Sequence, residues 1–389
     1  MYNFHVVSVN FVLAMFLFDS AIEFKRVGWR NLGLGVIVFV IAALPVLLWK
    51  AGNSPVDLTP RPEWLSIVAR SVLYNLFYLI APNPLILIST LSGLTALVFF
   101  ALAYPRPPSP RDRTVLIFVL AIVIILVVEI ITAAWLPVTI IVQTQIIRAG
   151  VFAVIFGYLY FANFLAERYT MGAINRADFG WLAGAFVFFM TPVVALVIWG
   201  LQRIVRPARW RQALAFLIVA GVLGASVIVV RQYDFWQPGW HVFGENSAWR
   251  EAQVWAREHT PLEAVFITPP QLWWWYASDW RVFSERSTVV TLSELLEVAL
   301  VPRYVDTWKL RFEAVAPGAL AQFRGNYFEN VALTAQAYYS LSDEEMLNVA
   351  QKYGASYLVV EKPHQRDFPA VYESEGFVVY DLRGILPSR

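Results

Sequence analysis

The chain has 389 residues, 58% of them apolar and only 15% charged, well below the roughly one quarter of charged residues in a soluble domain. It contains no cysteine, which excludes disulfides, thiolate metal sites and cysteine nucleophiles together. The formal net charge of +2 hides an asymmetry: residues 1–230 hold 16 Lys and Arg against 8 Asp and Glu, while residues 231–389 hold 14 against 20. The reading is an α-helical multi-pass membrane domain over 1–230, followed by a soluble α/β domain over 231–389.

A bilayer-spanning helix needs about 20 mostly apolar residues. Runs near that length cover residues 32–49, 84–104, 114–135, 138–165, 180–201 and 212–230, and a shorter run covers 4–18. Residues 64–81 are apolar but contain Arg70 and Asn75, so they form either a cavity-facing span or a helix lying at the interface. The total is seven or eight membrane segments, with the lipid bilayer as the first partner. Three loops are basic: 24–31 with Lys25, Arg26 and Arg30, 105–113 with three Arg, and 203–211 with four. Such loops prefer the cytoplasm. Three predicted spans separate 105–113 from 203–211, which would put those two loops on opposite faces. Charge alone therefore leaves the orientation open.

Glu129 stands out in the membrane half, inside an otherwise apolar run over 115–135. An ionised carboxylate in lipid costs several kcal/mol unless it faces a cavity or a partner. Arg148, past the turn at Pro137, is the obvious partner. Glu129, Gln143, Gln145 and Arg148 form either a polar intramembrane site for an anionic or sugar-bearing ligand, or a structural pair that fixes helix packing. Asp19 and Glu23 read either as a carboxylate pair for acid/base work or as solvated helix-end charges.

After residue 231, helices alternate with short apolar strands, the pattern of an α/β layer domain. Residues 247–260 read as a helix stopped by Pro261, and 264–268 as a buried strand. Residues 293–315 are helical with a break at Pro302. Residues 342–354 open on a capping box, Ser342 with Glu345, and close at Gly354. Residues 355–362 and 377–382 are strands. The two continuous apolar strands, 264–268 and 355–362, should lie side by side in the sheet.

The tryptophan-rich stretch 271–280, with Trp274, Trp275 and Tyr276, reads two ways. With Asp279, Arg281, Glu285 and Arg286 it binds a sugar or peptide, or its rings pack the domain at the membrane surface. The four His are scattered without metal-ligand spacing, so no metal site is expected. No GxGxxG or GK(S/T) occurs, and the basic loops flank spans, so neither those nucleotide sites nor a nucleic-acid partner is expected. The residues name no cofactor.

Residues 255–270, 280–290 and 352–362 resemble the C-terminal domains of bacterial GT-C-like membrane proteins, including a group labelled only as a domain of unknown function. More distantly, the order of an acidic turn, an aromatic cluster and an Arg-Ser pair is similar to oligosaccharyltransferase catalytic subunits. Those enzymes carry a WWDYG acceptor motif there, which Trp274, Trp275 and Tyr276 match without its Asp and Gly. The resemblance implies an exoplasmic C-terminal domain, a lipid-linked sugar as ligand, a role in cell-envelope glycan assembly and possible use of a divalent ion. The superfamily's catalytic acid sits in a long loop after the first span, whereas here that loop covers only 19–31. The resemblance thus implies either a glycosyltransferase that begins inside the ancestral arrangement or a non-enzymatic scaffold or partner subunit. A transporter would instead show inverted repeats, and none is visible.

Overall fold

Proline, glycine and charge punctuate the apolar runs, and helices form between these breaks. The computed structural model describes residues 6–53, 59–71, 84–136, 138–144, 146–188, 192–232, 247–272, 277–325 and 327–386. Helix α1 (Val6–Ile22) leads into α2 (Phe24–Asn53), which turns at Gly28 with φ 73°, a backbone that glycine adopts without strain. Then come α3 (Pro62–Ser71), α4 (Pro84–Ala103) and α5 (Pro110–Ala134). Ser109 caps α5 reciprocally with Asp112, as a Ser-x-x-acid start should. Next are α6 (Thr139–Thr144), a 3-10 turn (Ile146–Ala149), α7 (Gly150–Thr170), α8 (Arg176–Phe188), α9 (Pro192–Ile204) and α10 (Ala208–Gln232). The remainder runs α11 (Ser247–His259), β1 (Val265–Ile267), α12 (Trp280–Ser284), β2 (Ser287–Thr288), α13 (Leu295–Leu300), α14 (Val305–Val315), α15 (Ala319–Gln322), α16 (Tyr327–Ser340), α17 (Asp343–Tyr353), β3 (Tyr357–Glu361), β4 (Ala370–Glu373) and β5 (Phe377–Asp381).

The chain forms two compact units. A helical unit holds α1, α2 and α4 to α10, and an α/β unit holds residues 60–71 together with 247–386. The α/β unit is therefore discontinuous in sequence.

In the helical unit, four helices among the described residues are long and apolar enough to cross a membrane: Val27–Pro45, Pro110–Thr132, Gly150–Thr170 and Ala208–Ile228. Three shorter apolar helices, Phe11–Ile22, Thr90–Ala103 and Val193–Ile204, accompany them. This is a smaller set of full-length spans than the sequence suggests. Leu34, Ile37, Val38 and Ile41 on α2, and Phe216, Leu217, Leu223 and Ile228 on α10, are exposed, a surface suited to lipid rather than water.

Neighbour contacts fix the helix directions. Helices α4 and α7 run parallel, since Ala96 meets Gly157 and Phe100 meets Tyr160 at 4.8 Å. A Cβ at Gly157 would stand 2.3 Å from the Ala96 carbonyl oxygen, so this crossing requires glycine. Helix α5 runs antiparallel to α7: the Tyr160 hydroxyl donates to Asp112 Oδ1 at 2.7 Å, and Phe118 faces Phe156. Helix α1 is antiparallel to α5, through Phe16 on Phe118 and through Phe11 and Met15 packed with Ala121 and Ile122.

The run 180–201, read above as one span, folds instead as two 13-residue helices, α8 and α9. Pro192 opens the second, where its fixed φ fits and its missing N–H costs nothing. The outer ends of the two helices meet, because the Gln202 amide donates to the Asp178 carbonyl at 2.9 Å. Arg211, at the start of α10, pairs with the Asp178 carboxylate at 2.8 Å. At about 1.5 Å per residue each helix is roughly 20 Å long, short of the ~30 Å hydrocarbon core.

In the α/β unit the strand order is β2-β1-β3-β5-β4. Strands β2, β1 and β3 are parallel, while β5 and β4 are antiparallel additions. Phe266 of β1 pairs with Tyr357 of β3, so the two apolar strands are neighbours as expected. Ser342 and Glu345 form the expected capping box on α17, and Gly354 ends it at φ 70°. Trp249, Phe266, Trp280, Tyr357 and Phe377 fill the core on one side of the sheet.

Helix α3 belongs to this unit. Trp64, Ile67, Val68 and Ala69 are buried, and the Trp64 indole, 0% exposed, donates to the Val298 carbonyl at 2.7 Å. Arg61 grips Asp306 with two bonds of 2.8 and 2.7 Å, Lys309 meets Glu63 at 2.5 Å, and the Asn330 amide donates to the Arg70 carbonyl. Residues 62–71 thus serve neither as a span nor as an interfacial helix, because their apolar face is covered by protein. The rest of the 64–81 stretch lies outside the described residues. Replacing Trp64 by Ala removes a fully buried ring and strands a carbonyl. We expect a loss of about 3–5 kcal/mol, read as a lower melting temperature of the full chain in detergent and new protease cleavage within 60–71.

Candidate functional site

Two places hold chemistry-bearing side chains. In the helical unit, Glu129 lies on α5 and is only 3% exposed. Thr139 on α6 is buried, and Gln143 on α6 and Arg148 in the 3-10 turn are half-buried. None of Asp19, Glu129, Thr139, Gln143 and Arg148 is without an interaction partner. Asp19 is buried on α1 rather than solvated as a helix-end charge. Gln145 lies outside the described residues. The 3-10 turn interrupts the path from α6 to α7 and seats Ala149 in the cluster formed by Phe11, Met15, Ala121, Ile122 and Ala153. Carrying the antiparallel register of α5 and α7 past Gly150 puts Arg148 about level with residue 125. That is about one turn, roughly 6 Å along the axis, from Glu129.

In the α/β unit, Trp274, Trp275 and Tyr276 lie outside the described residues, but the groups that flank them are placed. Asp279 caps α12 by accepting from the Arg281 backbone N–H at 3.1 Å, and its other oxygen accepts from the Thr291 hydroxyl at 3.0 Å and from the Ser293 hydroxyl. The Arg281 guanidinium binds Glu294, which is 2% exposed and also accepts from the Tyr304 hydroxyl at 2.6 Å. Burial, and then this bond to a carboxylate, push the Tyr304 hydroxyl above its ordinary 10. Arg286 is buried and gives its guanidinium to the Arg257 and Thr260 carbonyls at 2.6 and 2.7 Å, closing the C-terminal end of α11. Its donors are committed to backbone, and Glu285 turns the chain at φ 53°.

Of the four charged residues singled out near the tryptophans, Asp279 and Arg281 are therefore brought together, whereas Arg286 does structural work elsewhere. Both carboxylates of the cluster are satisfied, so it fixes the chain on either side of β2 and offers no free acid or base. Glu294 and Tyr304 were not visible as site residues in the sequence, since each reads there as an ordinary member of an amphipathic helix. Among the described residues, no three His, Asp or Glu side chains group as a metal-binding set.

Residues 247–315 match a family described as Domain of unknown function (DUF6798). The matched stretch covers α11 to α14 with the first two parallel strands, and so includes the Asp279–Arg281–Glu294–Tyr304 cluster. No curated protein and no solved structure matches the chain.

Removing Glu294 strips the Tyr304 hydroxyl of its acceptor and leaves Arg281, 39% exposed, to turn to water. Glu294→Ala should cost about 1–3 kcal/mol, measured as a fall in the chemical-denaturation midpoint of the full chain. Because the folded value of Tyr304 is raised, its contribution is present below the ordinary value near 10 and fades as the pH climbs through the folded value. Wild type should lose stability with rising alkalinity, and Tyr304→Phe should show a shallower loss.

Proposed function

We propose that this chain is a GT-C-like membrane protein that handles a lipid-linked sugar in cell-envelope glycan assembly and presents its α/β unit on the exoplasmic side. The observation that carries the orientation is that residues 60–71, which follow α2, fold into the same unit as residues 247–386, which follow α10. One soluble unit occupies one side of a bilayer, so the far ends of α2 and α10 share a face. The helix directions then collect the basic positions at the opposite end of the helical unit. Lys25 and Arg30 follow α1, and Arg106, Arg111 and Arg113 join α4 to α5. Arg168 and Arg176 join α7 to α8, and Arg203, Arg206, Arg209 and Arg211 join α9 to α10. The α8–α9 hairpin removes the apparent conflict between the loops at 105–113 and 203–211. The positive-inside rule puts this arginine-rich end in the cytoplasm.

Within that frame Glu129, Gln143 and Arg148 belong to the exoplasmic half of the helices. An anionic or sugar-bearing head group would be the ligand of that polar site, and Trp274, Trp275 and Tyr276, outside the described residues, are a separate candidate for sugar contact in the α/β unit. The lipid-linked ligand itself rests on the resemblance to GT-C-like proteins, and a non-enzymatic partner subunit of the same assembly would bind it without transferring the sugar.

The absence of native cysteine makes orientation directly testable. Single-cysteine variants at Ser66 and Glu375 should react with a membrane-impermeant maleimide in right-side-out spheroplasts, and one at Met171 only after permeabilisation. The reverse pattern defeats the orientation. For the ligand, wild type in nanodiscs should retain a polyprenyl-phosphate-linked hexose in native mass spectrometry, and Glu129→Gln should lose it without a change in melting temperature. If Glu129→Gln instead keeps the ligand and lowers the melting temperature, the Glu129 site is only structural.

A further inference from the structure

In the parallel part of the sheet the order is β2-β1-β3. The chain leaves β1 to one side to form β2, then returns to the other side to form β3. Strand order reverses between β1 and β3, and in open α/β sheets the crevice outside the carboxyl ends of the strands at such a point is where ligands bind. The residues that follow those two ends are Thr268 to Gln271 after β1 and Lys362 to His364 after β3.

Gln271 is 3% exposed, and its side-chain carbonyl oxygen has no hydrogen-bond partner among the described residues. A buried, unmet acceptor costs about 1–3 kcal/mol. Its side chain adjoins the Tyr339 hydroxyl. The Tyr339 hydroxyl in turn donates to Glu361 Oε2, at the end of β3, at 2.7 Å. His364 stacks on Tyr339 at 3.8 Å and 11°, with its own ring exposed. The nearby cations are turned elsewhere: Lys362 pairs with Glu373 at 2.9 Å, and Arg366 binds Asp343 and the Tyr339 carbonyl. The place therefore offers hydrogen-bond acceptors and a flat ring, with no cation directed at a ligand among these groups. A phosphate would meet the Glu361 charge and no compensating donor. A ligand that supplies hydroxyl hydrogens together with an apolar face satisfies the Gln271 oxygen, the Glu361 carboxylate and the His364 ring at once, and that is the chemistry of a pyranose.

We infer that the crevice at the carboxyl ends of β1 and β3 binds a neutral sugar ring, with Gln271 Oε1 and Glu361 accepting its hydroxyl hydrogens and His364 stacking against it. The inference rests on the proposed sugar-handling role for the ligand's origin, and on Gln271, Tyr339, Glu361 and His364 for its place.

The test uses the full chain in nanodiscs and saturation-transfer NMR with methyl hexosides, methyl N-acetylhexosaminide and inorganic phosphate as probes. At least one methyl glycoside should bind, and phosphate should neither bind nor compete. Gln271→Met, which keeps the shape and deletes the acceptor, and His364→Ala, at an exposed ring, should each weaken that binding at least tenfold. His364→Ala should leave the melting temperature unchanged, so its effect cannot be ascribed to misfolding. Absence of glycoside binding, competition by phosphate, or binding untouched by both variants overturns the inference. If the chain retains the polyprenyl-linked hexose while Gln271→Met and His364→Ala change nothing, this site is wrong and the lipid-linked reading survives. If methyl glycosides bind here but the polyprenyl-linked hexose does not, the site stands and that reading fails.

Discussion

The capture of residues 60–71 by the α/β unit is the constraint on which the rest of the structure depends. A fully buried tryptophan, with its indole N–H committed to a backbone carbonyl, supplies most of the hold. The paired charges around it, Arg61 with Asp306 and Glu63 with Lys309, are solvent-exposed and contribute register more than energy. Because this segment joins two helices of the other unit, its docking is a statement about connectivity. It ties the chain after α2 to the chain after α10.

The helical unit accepts that constraint because its apolar runs do not all fold as single spans. Helices α8 and α9 return to the same end, held there by Asp178, which serves Gln202 through its carbonyl and Arg211 through its carboxylate. The other helices pack by aromatic layers, such as Phe99 on Phe161 at 3.8 Å, and by the glycine crossing at Gly157. Both need close approach between helices more than they need polar glue.

Much of this was readable from composition and pattern. The strands at 265–267 and 357–361, the capping box at Ser342 and the break at Pro302 all follow from local chemistry, because each is set by residues within a few positions of one another, and the adjacency of the two strands follows from their shared continuous apolar pattern. The role of 62–71 was not readable. Trp64, Ile67 and Val68 make the same apolar signal whether they face lipid or a protein partner more than 200 residues away, and periodicity carries no information about which. The run at 180–201 misled for a related reason: hydropathy measures solvent preference, while the split into α8 and α9 depends on where Pro192 allows a helix to start. Near the tryptophans, the charged residues were visible but their assignments were not. Only the fold shows Arg286 spending its donors on the end of α11, or Glu294 joining Arg281 to Tyr304.

The Trp64–Val298 bond joins residues 234 positions apart. Synthesis proceeds at about 5–20 residues per second, so some 10–50 s separate the emergence of α3 from that of its partner. During that interval the indole and its apolar neighbours have no protein to cover them, and the nearest surface able to shelter an amphipathic helix is the bilayer itself. The docking of helix α3 therefore cannot precede synthesis of the residues around Val298.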